Sequence, residues 1–340
     1  MRGLLLPGNS TVELRDLPDP SPGHGQVVLA MRASAICGSD VRAIYREHIG
    51  TGAEAYAGVV AGHEPCGEVV AVGPGVQTAR IGDRMAVYHI SGCGLCDECR
   101  KGYQISCTGP GRAAYGWQRD GGHADYLLAE ERDLVRLPDG ASWLDGACAA
   151  CGGSTSYEAL CRVAVSGRDR VLITGLGPVG LFAGRLAQAM GASQVVGTDP
   201  SAGRRALAES TGCVHVAVAA DGLPDTLGDG AEVSIDCSGS GAGQLTALQH
   251  TARWGRVALV GEGGQLAVDV SQVIIHKQLT IHGSWVSSTQ GMRRLLELLG
   301  RWDIHLDDLV TDTFALSHGG DAYRVADAGQ SGKAAIVWPG

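Results

Sequence analysis

The chain of 340 residues lacks the features that would mark it as a membrane or nucleic-acid-binding protein. It has no run of about 18 apolar residues, the length that a membrane-spanning helix requires. Lysine and arginine form no cluster and the formal net charge is −9, which argues against nucleic acid as a partner. The first apolar run, in MRGLLLPGNS, is too short for a signal peptide. A cytoplasmic protein that acts on small molecules is therefore expected.

Cysteine, in contrast, is abundant. There are eleven, an odd number that favours free thiols or metal ligands over disulfides. In GCGLCDECRKGYQISC, residues 92–107, four cysteines are separated by two, two and seven residues: Cys93, Cys96, Cys99 and Cys107. An iron–sulfur cluster uses similar spacing, but no second cysteine cluster supports one. Four thiolates around one zinc ion would form a closed structural site.

The pattern of the chain changes near residue 153. Before it, short strand-like segments such as GQVVLAMRASAI and CGEVVAVGPGV are separated by glycine and proline. After it, apolar runs such as RVLITG and QVVGTD alternate with helical stretches, which indicates a doubly wound parallel sheet. We predict an α/β protein in which residues 153–286 form a Rossmann dinucleotide-binding domain inserted into a β-rich domain of residues 1–152 and 287–340.

A glycine-rich turn follows the predicted strand RVLIT. The predicted cofactor loop comprises Gly175, Gly177, Pro178, Val179 and Gly180. Its glycines allow a tight turn, close approach to a pyrophosphate and close packing of helix and strand. Asp199, nineteen positions after Gly180, would bind the adenosine ribose hydroxyls and repel a 2′-phosphate. NAD is favoured over NADP, although Arg204 and Arg205 could accommodate a phosphate.

Together with CGSD at residues 37–40 and GHE at 62–64, these motifs resemble the zinc-containing alcohol dehydrogenases of the medium-chain dehydrogenase/reductase family. The resemblance covers essentially the whole chain and implies a GroES-like catalytic domain with two zinc ions. The four-cysteine motif matches the structural zinc site. Cys37, His63 and Cys151 match the ligands of a catalytic zinc, with Glu64 close behind it. Cys148 is the competitor of Cys151 as third ligand.

The resemblance also implies roles around the catalytic zinc. Asp40 would hold the zinc-ligating histidine from behind, and Ser39 would receive the proton of the alcohol. Many relatives have a histidine where this chain has Arg42, and an arginine is a poor relay base. His48 or water is the alternative carrier of that proton.

Further positions are carried over from the family. The residues expected around the substrate are Arg42, Tyr45, His89, Trp117 and Trp285, the last close to the nicotinamide. This set of hydrogen-bond donors favours a polyol, sugar-like or other functionalised secondary alcohol. Thr155 would lie beside the nicotinamide and Lys333 near the pyrophosphate. The packing cysteines would be Cys66, Cys161, Cys213 and Cys237.

The resulting expectation is an NAD-dependent zinc alcohol dehydrogenase that interconverts an alcohol with its ketone or aldehyde. Two alternatives stay open: a zinc-free reductase of conjugated carbonyls, and a non-catalytic dinucleotide-sensing protein with structural zinc only. By analogy with relatives, a homodimer or homotetramer is expected, joined through an edge strand within SQVIIHKQLTIHG.

Overall fold

The computed structural model describes residues 1–339, with only the main chain described for Ala53. Two compact units are formed: unit 1 contains residues 1–154 and those from 288 onward, and unit 2 contains residues 155–287. No helix among the described residues is both long enough and apolar enough to span a bilayer.

Strands and helices follow one another along the chain as listed here. The strands are β1 Arg2–Gly8, β2 Thr11–Asp16, β3 Gln26–Ala35, β4 Glu64–Val72, β5 Arg84–Val87, β6 Ile90–Ser91, β7 Ala113–Ala114, β8 Tyr126–Glu130, β9 Leu134–Arg136, β10 Arg170–Thr174, β11 Gln194–Thr198, β12 Val216–Val218, β13 Ala231–Asp236, β14 Thr251–Leu259, β15 Thr280–Gly283, β16 Val310–Phe314 and β17 Lys333–Val337. The α-helices are α1 Gly38–Asp40, α2 Asp97–Arg100, α3 Trp143–Cys148, α4 Ser154–Arg162, α5 Pro178–Ala189, α6 Ala202–Ser210, α7 Leu223–Leu227, α8 Gly241–Gln249, α9 Thr289–Trp302 and α10 Gly319–Ala328. Three π-helical turns lie at Val41–Arg46, Ala149–Gly153 and Val270–Ile275.

Unit 1 is built on a mixed sheet of order β16-β17-β3-β4-β5-β9, with β8 also paired to β3. Its inward-facing residues form a core that includes Val27, Leu29 and Met31 of β3, all at most 1% exposed. A second cluster packs β1 against α10 and the turn after α1. Helix α9 presents Met292, Leu295, Leu296 and Leu299 on one face at the helical period, which explains its docking on this unit.

Unit 2 is a parallel sheet of order β12-β11-β10-β13-β14-β15. The central strand β10 reads RVLIT and is buried from Val171 to Thr174, because helices cover both faces of such a sheet. Helix α5 begins with Pro178, whose missing N–H costs nothing in the first turn. The predicted doubly wound fold is confirmed. The short strand β12 was not anticipated.

Candidate active site

Three strand ends meet in unit 1. Strand β3 pairs with β17 through Ala335 and with β4 through Glu64, both opposite Ala35. The Ile36 amide then donates to the Ala334 carbonyl at 2.9 Å. Cys37, Glu64 and Lys333 are therefore brought together from positions far apart in the sequence.

The predicted ligands of the catalytic zinc form one cluster. One ligand atom each from Cys37, His63, Glu64 and Cys151 lies within 4.8 Å of all the others. His63 Nδ1 is 2.7 Å from Asp40 Oδ1, while Asp40 Oδ2 accepts from the Cys37 amide at 3.1 Å. Because the carboxylate accepts from Nδ1, it holds the ring so that Nε2 can bind a metal.

The pKa values of the two thiols of the cluster are displaced in opposite directions. A hydrogen bond from Cys151 holds the pKa of Cys37 well below its ordinary value, and the same bond together with burial raises the pKa of Cys151. For His63, burial favours the neutral ring, but Asp40 raises its pKa well above the ordinary value. Two sulfurs, an imidazole and a carboxylate are ligands that zinc prefers, so these residues fit that metal.

Glu64 is held by a partner that the sequence did not indicate. Lys333 Nζ lies 2.6 Å from Glu64 Oε2, and the two side chains are 2% and 0% exposed. The Gly152 amide donates to Glu64 Oε1 at 3.3 Å. Burial raises the pKa of Glu64 to about 7, with Lys333 working in the opposite direction. The predicted contact of Lys333 with a pyrophosphate stays a prediction; its ammonium group already has a buried counterion.

The predicted proton-relay residues differ in their surroundings. Ser39 is half-buried in α1, two residues after Cys37, whereas Arg42 is exposed. His48 Nε2 lies 2.9 Å from the Leu6 carbonyl oxygen, which gives this ring nitrogen a main-chain partner.

Tyr45 and Trp117 both contact the core of unit 1. Tyr45 is 4% exposed and its ring centroid is 5.2 Å from that of Tyr323, a packing contact that the sequence did not indicate. The Trp117 ring centroid lies 6.5 Å from that of His63, and its Nε1 donates to the Glu54 carbonyl at 3.0 Å. A place for either residue on the substrate pocket stays a prediction.

His89 lies beside the ligand cluster. Its ring centroid is 5.4 Å from that of His63, and its Nδ1 is 2.7 Å from the Ala150 carbonyl oxygen. A carbonyl can only accept, so Nδ1 carries the proton. Burial lowers the pKa of His89 to about 4, which makes the ring neutral and its Nε2 a hydrogen-bond acceptor.

The second cysteine cluster is formed by residues 93–107, called the lobe below. Its four sulfurs also lie within 4.8 Å of one another, and the Sγ atoms of Cys93 and Cys99 are 3.9 Å apart. Cys93 Sγ accepts from the amides of Leu95 and Cys96 at 3.4 and 3.3 Å. Main-chain amides of Cys99 and Thr108 lower the pKa of Cys96 to about 5. The lobe therefore fits a closed zinc site.

A third group, Asp145, His305 and Asp307, also has clustered ligand atoms. Asp145 Oδ1 accepts from the amides of Leu306 and Asp307 at 2.7 and 3.2 Å, and Oδ2 accepts from the Ser142 amide and lies 2.7 Å from His305 Nδ1. Through these hydrogen bonds the carboxylate of Asp145 caps α3 and holds the segment that follows α9. The sequence signal was the capping pattern Ser142 to Asp145, which was overlooked.

The glycine loop of unit 2 has the expected close approaches. Gly175 has φ +88°, and a Cβ there would lie 2.7 Å from main-chain atoms of Ser238. A Cβ on Gly180 would lie 1.9 Å from the Gly175 carbonyl oxygen. Gly177 directly precedes α5 and faces open space except for Arg204 at 3.8 Å. Gly177 thus leaves room beside the first turn of α5, where the helix N-terminus favours a phosphate.

Asp199 follows β11 and is 4% exposed. Its Oδ2 accepts from the Leu176 amide at 2.9 Å, within the glycine loop, and lies 3.7 Å from Arg204 Nη1. Elsewhere in unit 2, Thr155 Oγ1 is buried with no hydrogen-bond partner among the described residues, and Trp285 is 51% exposed. Their predicted nicotinamide contacts stay predictions.

The fold and these clusters define a two-unit, metal-binding dehydrogenase. The Alcohol dehydrogenase GroES-like domain matches residues 23–139, and the Zinc-binding dehydrogenase domain matches residues 178–301. The chain belongs to the zinc-containing alcohol dehydrogenases of the medium-chain dehydrogenase/reductase family.

Individual relatives cover nearly the whole chain. It is 48% identical to the zinc-type alcohol dehydrogenase-like protein YphC of Escherichia coli, over 100% of this chain and 99% of that protein. It is 32% identical to the L-threonine 3-dehydrogenase of Photorhabdus laumondii, over 95% of each chain. The galactitol-1-phosphate dehydrogenase structure from Escherichia coli superposes with a TM-score of 0.87 at 26% identity, covering 99% of this chain and 100% of that one.

Proposed function

We propose that the protein is an NAD-dependent zinc alcohol dehydrogenase that reversibly oxidises a secondary or polyol-type alcohol. The observation that carries this proposal is the cluster of Cys37, His63, Glu64 and Cys151 with Asp40 behind the imidazole. If Cys37, His63 and Cys151 are the three protein ligands, a fourth coordination position stays open for substrate, in contrast to the four-cysteine lobe. Zinc and NAD, when bound, supply the Lewis acid that acidifies the alcohol and the acceptor of its hydride.

The residues of unit 1 then control where protons lie. Asp40 keeps the proton of His63 on Nδ1, which leaves Nε2 for the metal. Ser39 receives the hydroxyl proton of the substrate. Because His48 Nε2 is committed to the Leu6 carbonyl and arginine does not titrate near neutral pH, we propose that water takes the proton from Ser39.

Glu64 and Lys333 balance the charge of the site. Two thiolates and two carboxylates, those of Asp40 and Glu64, would leave an excess of negative charge even with a divalent ion present. The buried ammonium of Lys333 offsets part of that excess and holds Glu64 in place. Glu64 is thereby positioned to approach the metal when water and substrate exchange.

The neutral imidazole of His89 supports a substrate with more than one polar group. Its Nε2 can accept a hydrogen bond from a hydroxyl or ammonium group next to the carbon that is oxidised. An exposed Arg42 adds a cation that suits an acidic substituent. L-threonine and sugar-alcohol phosphates, which the names of relatives of this chain give as substrates, are therefore the first compounds to assay, together with polyols.

For the cofactor, Asp199 supports NAD over NADP. A carboxylate fixed to the glycine loop by the Leu176 amide would accept hydrogen bonds from ribose hydroxyls and repel a phosphate. The ion pair with Asp199 already occupies Arg204 in part, so that this guanidinium is a weaker phosphate ligand.

We also propose a homodimer or homotetramer in the cytoplasm. Strand β15 is the edge of the unit 2 sheet, and Val270, Ile275 and Ile281 near it are 51%, 59% and 37% exposed. Open strand edges with apolar side chains invite pairing with a second copy. The odd number of cysteines and the two cysteine-containing clusters of metal-ligand type suit a reducing compartment.

The experiment is a comparison of the wild type with Cys37→Ser. We expect two zinc ions per chain and alcohol-dependent NADH formation in the wild type, and one zinc ion with turnover abolished but NAD affinity kept in the variant. One zinc ion in both proteins would overturn the proposal and favour the zinc-free reductase or the sensing protein. Light scattering of the wild type and of Ile281→Lys tests the oligomer.

A further inference from the structure

The lobe has little hydrophobic core of its own. Within residues 93–107, Ile105 is the only buried aliphatic side chain, and Leu95 is 74% exposed. A segment with so little apolar burial depends on a metal for a fixed structure. A metal held by the cysteines would therefore keep the part of the lobe around Gly102, which is buried, in place.

Gly102 contacts the start of helix α9. Its carbonyl oxygen accepts from the amide of Thr289, the first residue of the helix, at 3.0 Å. Ser288 Oγ accepts from the Gly291 amide at 2.9 Å. The first amides of a helix have no partner within it, so the lobe and Ser288 cap α9 jointly. The approach is close: a Cβ on Gly102 would lie 1.6 Å from Gln290 Oε1.

The capped helix end lies where the chain leaves unit 2. Unit 2 ends at Ser287, and Ser288 is the first residue that belongs again to unit 1. Further along, α9 contacts the π-helical turn Ala149–Gly153, which carries the ligand Cys151. One helix thus connects the lobe, the returning chain and the segment of a catalytic ligand.

We infer that the lobe acts as a zinc-dependent cap for α9 and thereby fixes the chain where it returns from the nucleotide unit. Gly102 is a positioning residue, because it would act through its main-chain hydrogen bond to Thr289. The inference rests on the proposed zinc in the lobe but not on the proposed alcohol oxidation.

The test is hydrogen exchange in the zinc-loaded full chain, with Gly102→Ala compared with Gly111→Ala. Both glycines have positive φ, +88° and +82°, but a Cβ on Gly111 meets nothing within 4 Å. We expect at least about tenfold faster exchange at residues 284–292 in Gly102→Ala only, with two zinc ions retained. Equal exchange in the two variants would overturn the inference.

Two further variants keep the test decisive. Gln290→Ala removes the nearest atom that a Cβ on Gly102 would meet and leaves Thr289 Oγ1 at 2.8 Å, so combining it with Gly102→Ala should slow exchange part of the way back towards the wild-type rate. If Gly102→Ala does not fold, Cys96→Ser replaces it: loss of one zinc ion should speed exchange over residues 284–292, and unchanged exchange there would refute the cap. Neither readout needs turnover, so a failure of the proposed function would show separately, as absent NADH formation with normal exchange.

Discussion

Removal of the ammonium group of Lys333 should show how much its ion pair with Glu64 contributes to the free energy of unfolding. At 2.6 Å, two unit charges attract by about 6 kcal/mol at an effective dielectric constant of about 20. Desolvation offsets much of that attraction, but an unpaired charge left behind in the interior costs more. We therefore expect Lys333→Met to lower the free energy of unfolding by about 3–5 kcal/mol.

The assay is urea denaturation of four proteins with measured zinc content: the wild type, Lys333→Met, Glu64→Gln and the double variant. Gln keeps an oxygen for the Gly152 amide, so the double variant should recover most of the lost stability. Lys101→Met is the matched control, because Lys101 pairs with Glu98 on the surface and should leave the midpoint unchanged. A double variant no more stable than Lys333→Met would refute the reasoning.

Three other predictions concern single residues. Asp40→Asn should reduce zinc affinity or turnover about 10- to 100-fold, because the partner of His63 is lost; unchanged values by metal titration and kinetics would contradict this. Asp199→Ala should lower the ratio of kcat/KM for NAD to that for NADP by about tenfold or more, and an unaltered ratio would remove the basis for NAD preference. The hydrogen bond to Asp145 raises the pKa of His305. The stabilisation from this pair is therefore complete below a pH of about 6.5 and is lost as the pH rises through the folded-state pKa. The difference in unfolding free energy between the wild type and His305→Gln should shrink over that range, and a difference that stays constant with pH would refute this.

Local patterns made the fold predictable. Helix α9 has a face of one methionine and three leucines at the helical period, and β10 and β11 contain apolar runs, so their types follow from neighbouring residues alone. The fixed spacing of the lobe cysteines and of the glycine loop is likewise local, since one short segment supplies the four thiols and another supplies the turn for the pyrophosphate. Strand β12 escaped notice because its three residues are too few to show a period.

Contacts across the chain were decided by tertiary structure. The ion pair of Lys333 with Glu64 depends on the pairing of both β17 and β4 with β3. The local sequence of neither strand predicts that the two flank the same partner. The cap that Gly102 provides for α9 likewise joins segments almost two hundred positions apart. The sequence by itself therefore determined the types of the longer elements, the four-cysteine motif of the lobe and the glycine loop, and its resemblance to a family assigned the cluster around Cys37. Only the tertiary structure decided which buried charges pair and which loop caps which helix. Both depend on the strand order and on the removal of charged groups from water.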